Sequence, residues 1–264
     1  MRKLSLAVPA RPRVHRGAAL IAALLVVAAA LPAGARSPTP DTLPPTPAPV
    51  LTFAPLVTLP PVNIPAPRDT AAIEDGYSIG LADAPVEIEV WEDFQCPYCL
   101  RWTYQVEPQV IAELVKTGKA RLTFRTMAFL GEESRWASVA ADLAAEQNLF
   151  WPFHDVLFAN QLGENVGSYG IERLLTAAKV AGLDMERFTA GLTLDAARER
   201  YALLEAASTA GATAAGVSAT PSVVVNGVLL ESPDFDSIAA AVNAAIGGAT
   251  TASPSPAASA SAAP

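Results

Sequence analysis

The chain has 264 residues, 51% of them hydrophobic, with 18 Lys and Arg against 26 Asp and Glu and a formal net charge of −8. All 26 acids but only 13 of the basic residues lie beyond Ala35, so that part carries −13 and is unsuited to binding nucleic acid. Length alone suggests one large or two small domains, but both ends read as segments outside the fold.

The first 35 residues carry Arg2, Lys3, Arg11, Arg13 and Arg16, then an apolar run from Gly17 to Leu31, then Ala33-Gly34-Ala35. This is the pattern of an export signal, with the amino terminus cytoplasmic and the remainder outside. Cleavage after Ala35 is favoured by the small-residue site. The uncharged stretch 17–35 is also long enough to span a bilayer, so retention as a membrane tether stays open. No Cys follows the run, which excludes lipid attachment through an N-terminal cysteine. Ser37 to Arg68 contains eleven prolines. A chain so short of backbone donors reads as an extended, disordered linker over 36–69. Residues 247–264, nearly all Ala, Ser, Thr, Gly and Pro, read as a disordered tail. One domain over 70–246 remains.

Val86, Ile88 and Val90 alternate with Glu87 and Glu89, predicting a strand with one face on a core. A helix is expected to start at Cys96, because Pro97 suits the first helical position. It runs toward Lys116 with Trp102, Val106, Val110, Leu114 and Val115 buried, and Pro108 bends it. Ala120 to Met127 alternates again, and a strand–helix–strand crossover of this length implies parallel pairing. Residues 131–215 read as a helical insertion with segments at 133–144, 150–160, 171–181, 184–192 and from 194. Asn226-Gly227 between Ser222–Val225 and Val228–Leu230 predicts a hairpin, and a last helix over Phe235–Ile246 ends at Gly247-Gly248. The fold class is α/β, a central mixed sheet flanked by helices.

Cys96 and Cys99 are the chain's only cysteines. A structural disulfide closing so short a loop would gain only about 2 kcal/mol of chain entropy. At a helix start, however, positions i and i+3 share a face, so the sulfurs can meet, and Cys96 sees free N–H groups and the positive end of the dipole. A thiolate with a pKa of roughly 3.5 to 7.5 is expected at Cys96, with Cys99 buried and less acidic. Cys96 then exchanges with a partner and Cys99 resolves the mixed disulfide. The only histidines are His15 and His154, too few to complete a four-ligand zinc site with these cysteines. No metal or cofactor beyond the redox-active disulfide is expected, although copper or zinc capture by the two thiolates is a third reading.

The segments VEIEVWEDFQCPYC (86–99), FWPFHDVLFANQ (150–161) and GVSATPSVVVNG (216–227) resemble the DsbA-type thioredoxin-fold protein disulfide oxidoreductases. The resemblance implies a thioredoxin fold interrupted by the helical insertion. It also implies thiol-disulfide exchange with reduced secreted proteins outside the cytoplasm, and reoxidation by a membrane quinone-linked thiol oxidase. In such folds a cis proline precedes the hairpin strand, which assigns Thr220 and Pro221 to substrate docking. Pro97 and Tyr98 complete the active-site motif. Tyr98 stands where the strongest oxidants of the family carry His, which implies a less oxidising disulfide. Asp93 is a candidate proton relay for Cys99, against the alternative that it only favours the helix dipole. His154 reads as a packing or helix-surface residue, not a ligand or base. A redox-silent peptide-binding or chaperone-like module is the competing class.

Overall fold

A computed structural model describes residues 59–70 and 73–251; the export-signal segment, most of the proline-rich stretch and the end of the tail lie outside the described residues. The centre of the fold is β3 (Val86–Glu92), a strand whose even-numbered residues Val86, Ile88 and Val90 are wholly buried. It pairs in parallel with β4 (Ala120–Thr126), from Val86 opposite Ala120 to Glu92 opposite Thr126. On its other side it pairs antiparallel with β5 (Ser222–Val225), which turns through Asn226 and Gly227, both at positive φ, into β6 (Val228–Leu229). Two short strands, β1 (Glu74–Asp75) and β2 (Ser78–Ile79), extend the other edge, so the order is β1-β2-β4-β3-β5-β6. The sheet is mixed, with the parallel β3–β4 pair that the crossover length implies and the β5–β6 hairpin that Asn226-Gly227 implies. The edge pair β1–β2 escapes prediction because two residues carry no period.

The β3–β4 crossover differs from one bent helix. It is α1 (Pro97–Gln105), then α2 (Glu107–Val110), then a π-helical turn at Ile111–Val115. Pro108 has no N–H to offer the previous turn, so the first helix stops at Val106 and α2 starts anew with proline in its first turn. Between β4 and β5 stands the helical insertion: α3 (Glu132–Ala145), α4 (Phe150–Ala159), α5 (Ile171–Val180), α6 (Met185–Gly191) and α7 (Leu194–Ala215). Gly216, left-handed at φ 71°, ends α7.

Two expectations about the ends need correction. The stretch 59–68, read as disordered linker, lies along the domain as a strap. Asn63 and Asn160 exchange two hydrogen bonds, of 2.6 and 2.8 Å, Arg173 donates to the Pro60 carbonyl at 2.5 Å, and Arg68 Nε donates to Asp155 at 2.6 Å. Proline-rich chain cannot pair with itself, but its carbonyls accept from side chains of the insertion. Likewise the last helix, α8 (Phe235–Thr251), does not stop at Gly247-Gly248: neither glycine takes a positive φ, and the helix continues through both.

Candidate active site

Cys96 closes the turn leaving β3, its N–H donating to the Asp93 carbonyl at 2.9 Å, and it is itself the N-cap of α1 with Pro97 following. One turn on, Cys99 is wholly buried, while Cys96 keeps 5% exposure. Both are free thiols. The Thr220–Pro221 bond is cis and brings the Thr220 carbonyl 3.5 Å from Cys96 Sγ. Helix start, cysteine pair and proline turn, separated by over 120 residues in sequence, thus meet at one sulfur.

The two thiols are driven apart in acidity. Cys96 is pulled down to about 6, chiefly by the hydrogen bond it receives from Cys99, which outweighs partial burial, with help from the Thr220 side chain and the backbone of Cys99 and Tyr98. Thr220 Oγ1 is buried without a hydrogen-bond partner, and the Thr220 side chain is among the groups that lower the Cys96 pKa. Cys99 is held far above its ordinary value by burial, then by its bond to Cys96 and the charge of Glu92. Tyr98 points outward, 62% exposed, with the Arg101 guanidinium 5.3 Å from its ring centre.

The insertion fixes this turn. Gln161 donates to the carbonyls of Phe94 (2.6 Å) and Cys96 (3.1 Å), and Tyr169 donates to Phe94 O at 2.8 Å. Gln95 donates to Ser134 at 2.8 Å and accepts from the Asn165 N–H at 2.5 Å. The carboxylate of Asp93 accepts from the N–H groups of Gln95, Phe129 and Leu130 and from Ser134 Oγ, at 2.6 to 3.0 Å. Four donors surround its side chain, and it is Asp93's backbone that bonds to Cys99.

His154 is not on a helix surface. It is wholly buried among Phe94, Phe124, Phe150, Trp151 and Phe158, with Nε2 3.8 Å from Glu92 and 4.0 Å from Glu107 and Nδ1 3.1 Å from Asp155. Burial by itself would lower its pKa, but Asp155 and Glu92 outweigh this and raise it. Burial raises that of Glu92. Arg68 completes the group, 2.5 Å from Glu107 and paired with Asp155. Sequence reading missed this cluster because its members come from the strap, β3, α2 and α4; the one available signal was an acid, Glu92, at the buried parity of β3.

A family model described as Thioredoxin matches residues 73–244. The probable disulfide bond formation protein D of Bacillus cereus is 31% identical over 170 residues, spanning 63% of this chain and 76% of that one. Among solved structures, a thioredoxin-like oxidoreductase of Silicibacter pomeroyi superposes with a TM-score of 0.52 at 28% identity, over 71% of this chain and 100% of that one. Oxidised BdbD of Bacillus subtilis shares the fold at a TM-score of 0.59 and 23% identity, over 66% and 94%. With the family model matched over residues 73–244, a cysteine pair at the first turn after a central strand, and a cis proline facing it, the chain belongs to the thioredoxin family.

Proposed function

We propose that the protein is an extracytoplasmic thiol-disulfide oxidoreductase that donates its Cys96–Cys99 disulfide to reduced secreted proteins. The carrying observation is Cys96 Sγ, made acidic one turn from Cys99 and set 3.5 Å from the Thr220 carbonyl. A substrate thiolate attacks Cys96 Sγ; the Cys96–Cys99 bond breaks, Cys99 leaves with the electron pair and takes a proton. A second substrate thiolate then attacks its own half of the mixed disulfide and expels Cys96 as a thiolate. The substrate is left oxidised and the protein reduced by two electrons. The asymmetry of the thiols favours this direction, since Cys96 is the better leaving group and a stable thiolate favours the reduced protein. Pro97 sets the helix start, and the exposed backbone at Thr220 and Pro221 pairs with the substrate peptide.

Export by the 1–35 segment, with or without a tether through 17–35, supplies the oxidising compartment; among the described residues no helix is long and apolar enough to cross a membrane. A membrane quinone-linked thiol oxidase is the proposed source of reoxidation, consistent with the disulfide bond formation relatives. The test is oxidation of a reduced model protein by the pre-oxidised chain. Cys96→Ala should abolish transfer; equal transfer by that variant would overturn the reading, and retained peptide holding without any transfer in the wild type would establish the binding-module class instead.

A further inference from the structure

Glu92 ends β3, Glu107 opens α2 and His154 lies inside α4, yet one ligand atom from each can be chosen so that all lie within 4.8 Å of one another. Their side chains are 0%, 1% and 0% exposed. Glu92 Oε1 and Oε2, Glu107 Oε1 and Oε2, and His154 Nε2 all lack a hydrogen-bond partner. The contact of Arg68 with Glu107 is ionic and does not have hydrogen-bond geometry. Glu107 Oε1 keeps that ionic partner, but the other four polar atoms, buried around one point without a hydrogen bond, are costly unless something sits between them.

Their chemistry indicates what that is. His154 Nδ1 faces Asp155 Oδ1 at 3.1 Å; in the tautomer whose Nδ1–H donates to that carboxylate, the Nε2 lone pair is free to ligate. With Nε2 unprotonated, that lone pair faces two carboxylates, and a divalent ion at the centre would replace the protons that otherwise neutralise the group. Two atoms each about 2.1 Å from one ion are at most about 4.2 Å apart. The 3.8 and 4.0 Å separations from Nε2 fall within that limit, and the two carboxylates, within 4.8 Å of each other, need at most a small side-chain shift to meet it. Glu92, Glu107 and Asp155 bring three negative charges and Arg68 one positive, so one divalent ion beside a neutral imidazole closes the balance. A cleft of about 370 Å³ between the strap and the α1–α2 region reaches one of the three residues, Glu107, and its neighbours Arg68 and Asp155.

We propose that Glu92, Glu107 and His154 form a binding site for a divalent first-row transition ion, held between the sheet and the helical insertion. Imidazole with two carboxylates suits zinc, manganese or ferrous iron better than calcium or magnesium. The ion would join β3, α2 and α4, three elements that share no chain nearby. None of the three ligands is a cysteine, but the charge of Glu92 acts on Cys99, so the test keeps those thiols blocked.

The full chain, with Cys96 and Cys99 held as a disulfide, is stripped with a chelator and dialysed against zinc chloride or, separately, calcium chloride. One zinc and no calcium should be retained per chain, and Glu92→Gln and His154→Gln should each weaken zinc binding at least tenfold. X-ray absorption at the zinc edge of the loaded wild type should read one imidazole nitrogen with carboxylate oxygens, which decides the matter if a variant fails to fold. No zinc on the oxidised wild type, undiminished binding by both folded variants, or a shell without imidazole would overturn the proposal.

Discussion

The ionisation of Cys96 depends on what surrounds its sulfur, and the residues responsible can be removed one at a time. With its pKa drawn to about 6 by Cys99, Thr220 and nearby backbone N–H groups, Cys96 is half thiolate at mildly acidic pH. Alkylation of the reduced protein by iodoacetamide should therefore rise between pH 5 and 7 and then level off, and a midpoint above pH 8 would contradict the site as described. Thr220→Val keeps the branched side chain and the backbone carbonyl but removes the hydroxyl that helps to lower the Cys96 pKa. One such hydrogen bond is worth about 1 kcal/mol, or about 0.7 of a pKa unit, so alkylation at pH 6 should slow roughly threefold. An unchanged rate would remove Thr220 Oγ1 from the account. Spacing from a helix start singled out Cys96 and Cys99 and the family resemblance singled out Thr220, and the structure brings the three together. The partner that acidifies Cys96 most, the Cys99 thiol, is local in the chain.

At the scale of elements, the strap is the clearest departure from a sequence reading. Eleven prolines between Ser37 and Arg68 argue against regular structure, and the described part has none, yet it is ordered because Asn160, Arg173 and Asp155 supply its hydrogen bonds. Arg68, at the strap's end, lies beside the buried Glu107 and Asp155, its guanidinium 5.2 Å from the centre of the Trp151 ring. Arg68→Met should destabilise the protein by about 3 kcal/mol or more, because it strands two largely buried carboxylates. Urea unfolding measures this, and a loss below 1 kcal/mol would mean that the strap is an ornament of the fold. The split of the crossover helix was half legible: Pro108 announces a disturbance, but whether a helix bends or restarts is decided by how its two halves pack. The hairpin was legible outright, because Asn226-Gly227 accepts positive φ at both positions.

For the whole molecule, the buried Glu92–His154 pair couples stability to pH. Both groups hold their protons more tightly when folded than their ordinary values of about 4.3 and 6.5. The folded state therefore binds more protons, and the stability that this contributes is present at low pH and lost as pH rises through the raised values. In chelator, the urea midpoint should fall from pH 6 to pH 9, and the fall should shrink in Glu92→Gln; a midpoint that climbs over that range in the wild type but not in the variant would reverse the assignment.

The residues alone determined a parallel β3–β4 pair, five insertion helices and an exchange-active cysteine pair, because period, caps and turn chemistry act within a few residues of one another. Tertiary structure decided what distance in the chain conceals. It set Thr220 against Cys96 and wrapped the strap onto the insertion. It also gathered Glu92, Glu107, Asp155, His154 and Arg68 into one buried group, because burial and charge act through space, and no local pattern records which neighbours a folded side chain will have.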